Sequence, residues 1–140
     1  MRQHDLRNPR SANAAAAIGK LDPKTGHVTV FKMPDPVARD PHTPIFAQDG
    51  TLWFTVQDGS FVGKLDPKTG EVTLKPAGPR MLPYGIKVNS KGIPFFDLFG
   101  TNKIGSIDPK TMQITEYPLP NPLRRVHIPN RFLSTLHFLR

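Results

Sequence analysis

A chain of 140 residues, 37% of them apolar, is long enough for one ordinary domain with a real core, and its 19 basic against 11 acidic residues give a net charge of +8. The absence of cysteine excludes disulfide frameworks, thiolate metal sites, haem attachment and cysteine nucleophiles, and no run approaches the ~20 apolar residues of a membrane helix. Lys20, Lys24, Lys64, Lys68 and Lys110 stand singly in turn positions, so the basic excess reads as solvated surface, with no specific nucleic-acid partner and no membrane partner.

In chain order, residues 1–17 come first. Met1-Arg2-Gln3-His4-Asp5 has no hydrophobic stretch after it, and Ala14 to Ala17 is too short for a signal core. A poorly ordered segment is expected here and, with no export signal or transmembrane segment, a cytoplasmic location by default.

From Ile18 onward one segment occurs three times. Ile18-Gly19-Lys20-Leu21-Asp22-Pro23-Lys24-Thr25-Gly26 is repeated as Val62-Gly63-Lys64-Leu65-Asp66-Pro67-Lys68-Thr69-Gly70 and as Ile104-Gly105-Ser106-Ile107-Asp108-Pro109-Lys110-Thr111-Met112. Between the copies, Asp49-Gly50-Thr51-Leu52-Trp53-Phe54 corresponds to Lys91-Gly92-Ile93-Pro94-Phe95-Phe96, and Pro41-His42 to Pro83-Tyr84. A period of roughly 42 to 44 residues is that of a four-stranded propeller blade, while helical repeats of similar length need long 3.6-periodic stretches that are absent here. The pattern predicts an all-β fold, a partial β-propeller of four-stranded antiparallel blades within 18–122.

The blades are expected as a partial first one over 18–34, a second over 42–76 and a third over 84–118. The first keeps only its last two strands, near 17–21 and 27–31. In the second, strands are expected at about 43–47, 51–56, 61–65 and 71–75; in the third, at about 85–89, 93–98, 103–107 and 113–117.

Asp-Pro-Lys-Thr-Gly suits a hairpin turn: Pro presets φ, Asp accepts from nearby backbone N–H groups, and Gly takes the left-handed conformation. One Asp per turn falls far short of the six to eight oxygens that calcium needs. Met112 stands where the other copies have Gly, so that turn either differs or carries a left-handed residue at a cost of about 1 kcal/mol. Trp53, Phe54, Phe95 and Phe96 read as packing between neighbouring sheets, with ligand stacking as the alternative. Beyond Pro122, residues 123–140 form a divergent basic tail that starts like a new inner strand and then abandons the repeat, the expectation for a truncated or frameshifted product.

Pro-His-x-x-Ile at Pro41-His42, Asp-Gly-x-Leu-Trp-Phe-Thr at Asp49, the Asp-Pro-Lys-Thr-Gly copies and Thr115-Glu116-Tyr117-Pro118-Leu119-Pro120 resemble the virginiamycin B lyase (streptogramin lyase) family from about Ile18 to Pro122. The resemblance implies a seven-bladed propeller and a C–O lyase that opens the ester ring of streptogramin B cyclic depsipeptides with Mg²⁺ in the central site. It also implies a catalytic set of one His opening an inner strand, a second His one repeat later and a Glu 14 residues further on. Elimination needs such a set: a base for the proton α to the carbonyl, and a cation or acid for the leaving oxygen.

Projected onto this chain, His42 takes the first His position. Tyr84 takes the second and is expected to serve at most in binding, while the carboxylate position falls on Leu98 and its counterpart one repeat earlier on Val56. Two of three roles are unfilled, no metal ligand set is evident, and the fragment is expected to be inactive. His4, His27, His127 and His137 lack a motif partner and read as surface residues.

The alternative is a non-catalytic propeller scaffold or ligand-binding module, taking a small cyclic peptide or other small molecule at the propeller centre. A lactonase-type hydrolase is weaker still, since it needs several carboxylate or Asn ligands at the inner-strand starts, where only His42 and Tyr84 read. Seven blades need roughly 290 residues, so an incomplete ring with open sheet faces and self-association is expected.

Overall fold

The computed structural model describes residues 16–120; the expectations for the N-terminal segment and for the 123–140 tail lie outside the described residues, except at Ala16 and Ala17. Ten strands follow one another without a helix among the described residues. β1 (Ala17–Leu21) pairs with β2 (Val28–Lys32) as a two-stranded sheet. β3 (Pro41–Phe46), β4 (Leu52–Val56), β5 (Phe61–Leu65) and β6 (Val72–Pro76) form a four-stranded antiparallel sheet in that order. β7 (Pro83–Val88), β8 (Pro94–Leu98), β9 (Lys103–Ile107) and β10 (Ile114–Pro118) form a second one with the same order. These sheets are called blades 1, 2 and 3 below. No described helix is long and apolar enough to cross a membrane.

The three repeated turns share one geometry. The amide of Gly26 donates to the carbonyl of Asp22, Gly70 to Asp66 and Met112 to Asp108, at 2.8, 2.8 and 2.9 Å. Met112 therefore keeps the bend of its glycine counterparts and adopts φ 58°, left-handed backbone that costs a side-chain-bearing residue about 1 kcal/mol. Half-burial of the Met112 side chain against the blade 2–blade 3 core offsets that cost.

Each turn Asp also accepts from the backbone N–H two residues on, Lys24, Lys68 or Lys110. Backbone N–H donors, that of Lys24 foremost for Asp22, that of Lys68 for Asp66 and that of Thr111 for Asp108, hold all three carboxyls below their ordinary value of 3.8. Lowered folded values mean that the ionised turns favour the fold above about pH 3.8 and that this contribution is lost as pH falls from there through the folded values. Melting temperature recorded against pH should decline below that point. In Asp66→Asn, which keeps an accepting oxygen without the charge, the decline should be shallower; an identical acid profile would rule the turn out as a contributor.

Alternation along each strand decides which side chains meet which blade. In β4, Leu52, Phe54 and Val56 point upstream to blade 1, where they pack with Phe61, Leu65, Met33 and Ala38, flanked by Ile18 and Phe31. Trp53 points the other way and packs with Val62, Ile86, Phe96, Leu98 and Ile107 between blades 2 and 3. Trp53, Phe54 and Phe96 are 2%, 1% and 0% exposed, so each contributes on the order of 1.5–3 kcal/mol through burial. Phe95, expected in the same role, is only half-buried: it faces downstream, where no blade follows among the described residues, and stacks on Tyr117 with ring centroids 6.4 Å apart. Lys64 ties the two full blades further, its Nζ donating to the carbonyl of Pro109 at 3.2 Å while lying 5.9 Å above the Trp53 ring.

Candidate functional site

The inner strands β3 and β7 each open with a bulge. Pairing with the next strand slips between Pro41 and Pro44 in β3 and between Pro83 and Ile86 in β7, so His42 and Thr43, and likewise Tyr84 and Gly85, are released from the ladder. Two residues before His42 and Tyr84, Asp40 and Leu82 both have positive φ, 59° and 49°. Their carbonyls accept from the amides of Gln57 and Phe99. A left-handed non-glycine residue costs about 1–3 kcal/mol, and here it repeats at equivalent positions where the chain turns into each inner strand.

The released amides are taken up by side chains of the second strand. Thr43 N–H donates to Thr55 Oγ1 at 3.3 Å, and Gly85 N–H donates to Asp97 Oδ1 at 2.5 Å. Thr55 Oγ1 in turn donates to the carbonyl of Tyr84 at 2.6 Å, joining the inner ends of blades 2 and 3. This brings His42 and Tyr84 together: their ring centroids are 4.0 Å apart at 36°, Tyr84 lies 6.0 Å from Phe99, and His42 Nδ1 is 3.0 Å from Thr43 Oγ1. The result is an aromatic shelf at the inner ends of two adjacent blades, with one imidazole able to exchange a proton.

Leu98 and Val56, the projected carboxylate positions, are 1% and 0% exposed and belong to the two cores. Leu98 pairs with Pro83 and points upstream toward blade 2, so it offers no oxygen to the shelf. Carboxylates near this end include Asp97, one residue earlier and on the opposite face, and Asp40. Sequence reasoning passed over both: Asp97 reads as the counterpart of Thr55, and Asp40 precedes the strand. Even so, no three His, Asp or Glu side chains converge on a point suited to a metal among the described residues. Mg²⁺ demands near-octahedral oxygen ligation, and a phenol at 84 with a hydrocarbon at 98 does not fit it. A cleft of about 570 Å³ opens at the far end of β3, lined by the turns at Asp49, Lys91 and Asp108, away from His42 and Tyr84.

Successive four-stranded antiparallel sheets packed face to face, with their first strands side by side at one end, make the chain a partial β-propeller. No family model and no curated protein matches it. Among solved structures, virginiamycin B lyase from Staphylococcus aureus matches with a TM-score of 0.70 at 30% identity, over 78% of this chain and 36% of that one. A catalytically inactive histidine-to-alanine variant of the S. aureus enzyme with quinupristin gives 0.69 at 30% identity, over 77% and 36%, and a streptogramin B lyase structure gives 0.69 at 32% identity, over 77% and 35%. In sequence and in fold the chain is similar to part of the virginiamycin B lyase propeller and spans about a third of the length of these structures.

Proposed function

We propose that the chain is the ligand-facing part of a virginiamycin B lyase-like propeller, whose own residues supply a base and a stacking surface but not a complete centre for C–O elimination. The observation that carries this reading is His42 in the bulge that opens β3, 4.0 Å from the Tyr84 ring. In such a reaction a neutral His42 imidazole would take the proton α to the ester carbonyl as the C–O bond to the leaving oxygen breaks. The shelf of Tyr84 and Phe99 would hold a planar or aromatic part of the substrate against it. Position 98 provides nothing for the developing negative charge, since a leucine neither donates a proton nor binds a cation. A small cyclic peptide at the propeller centre, as in streptogramin B depsipeptides, is the ligand class that this geometry suits.

Incubated with quinupristin and Mg²⁺, the chain is expected to leave the ester ring intact by mass spectrometry while the His42 imidazole signals shift in NMR. Ring-opened product that disappears in His42→Ala would overturn the incompleteness of the centre. Unmoved His42 signals at saturating quinupristin would instead overturn the ligand-facing role and favour a scaffold.

A further inference from the structure

Among the described residues, the two-stranded blade 1 and the four-stranded blade 3 each leave one sheet face uncovered, and by repeat position the two faces are halves of a single contact. That contact occurs twice inside the chain, where the upstream face of one blade packs on the downstream face of the blade before it. On the upstream face of blade 2, Leu65 is 1% exposed, and Val72 and Leu74 are half-buried against blade 1. The same repeat positions in blade 1 are Leu21, Val28 and Val30, which are 61%, 48% and 57% exposed. Leu21 is directly paired with Val28, and Gly19 with Val30, so these side chains form one continuous apolar face. On the downstream side, Trp53 and Val62 of blade 2 are 2% and 0% exposed. Their counterparts in blade 3 are the half-buried Phe95 and Ile104, joined by Tyr117, which is 46% exposed.

We propose that a second copy of this chain covers these faces, the upstream face of its blade 1 seated on the downstream face of blade 3 in the first. The side chains that would meet occupy the same repeat positions as those that interdigitate at the two internal contacts, with the two outer strands of blade 1 supplying the upstream half. Each chain carries one face of each kind, which makes the contact heterologous: a third copy can add to the second, whereas two like faces brought together would lack the interdigitation seen inside the chain. The contact does not depend on the lyase reading.

Leu21→Lys combined with Val30→Lys blinds the upstream face, and Ile104→Lys blinds the downstream one. By sedimentation, the parent is expected to run larger than its 15.6 kDa monomer, and each blinded variant as a monomer. An equimolar mixture of the two variants should give a two-chain species and nothing larger, because only one matched pair of faces remains. Far-UV circular dichroism checks that each variant keeps its strands, and Tyr117→Ser, at an exposed position, replaces Ile104→Lys should that variant lose them. A monomeric parent, self-association surviving in either blinded variant, or a mixture that stays monomeric would each overturn the contact.

Discussion

Gly63→Ala is expected to lower unfolding free energy by about 3 kcal/mol or more, while Gly19→Ala, the same repeat position in blade 1, changes it by no more than about 0.5 kcal/mol. The difference lies in what the glycine lacks a Cβ for. A methyl on Gly63 would overlap ring atoms Cζ and Cε2 of Phe54 and come within 2.9 Å of Leu74 Cδ2. Phe54 is 1% exposed and held between two sheets, so its ring has nowhere to go without opening the blade 1–blade 2 core. Gly105 repeats the arrangement beneath Phe96. At Gly19 the added methyl meets only Val28 Cγ1, at an ordinary 3.6 Å, because among the described residues β1 has no counterpart of β4 beside it to lay a ring across the glycine. Urea denaturation of the three Gly→Ala variants separates this account from a backbone effect: comparable losses at all three positions would show that conformational freedom, and not the ring seated on glycine, is why glycine stands there.

The legible part of the fold was the part written in repeats and turn chemistry. Strands expected near 61–65 and 103–107 run at Phe61–Leu65 and Lys103–Ile107, because Pro and the left-handed residue of each hairpin, Gly70 or Met112, fix where one strand ends and the next begins. Inner strands were harder. They begin at Pro41 and Pro83, about two residues before the expected starts, since a bulge hides two residues from period-two alternation. The left-handed residues that aim these strands are Asp40 and Leu82, and neither residue type announces such a conformation as glycine does. A one-residue step along a strand reverses its face. Leu98 therefore sits in the core while Asp97 holds the bulge amide of Gly85, a distinction that spacing alone does not reveal. The pairing of His42 with Tyr84 followed from the 42-residue offset, but Thr55 as the link between them did not: after Leu52-Trp53-Phe54 it reads as one more strand residue.

Thr55→Val tests that link. Thr55 is fully buried, and its hydroxyl serves two backbone groups, accepting from Thr43 N–H at 3.3 Å and donating to the Tyr84 carbonyl at 2.6 Å. Valine fills nearly the same volume, so the substitution leaves packing in place and removes only those two bonds. Stripping a buried polar group of a partner costs about 1–3 kcal/mol, and with the Thr43 bond long and the Tyr84 bond short the expected total is about 2–4 kcal/mol in chemical denaturation. The loss should also reach the shelf. Without the hydroxyl the bulges of β3 and β7 are no longer joined, and the His42 ring-proton signals, shielded by the Tyr84 ring 4.0 Å away, should move toward those of an unstacked histidine. Thr55→Ser restores the oxygen but not the methyl, so it should recover the His42 signals and most of the stability. A valine variant as stable as the parent, or a serine variant no better than valine, would show that the inner ends are held by packing of the blades and not by this hydroxyl.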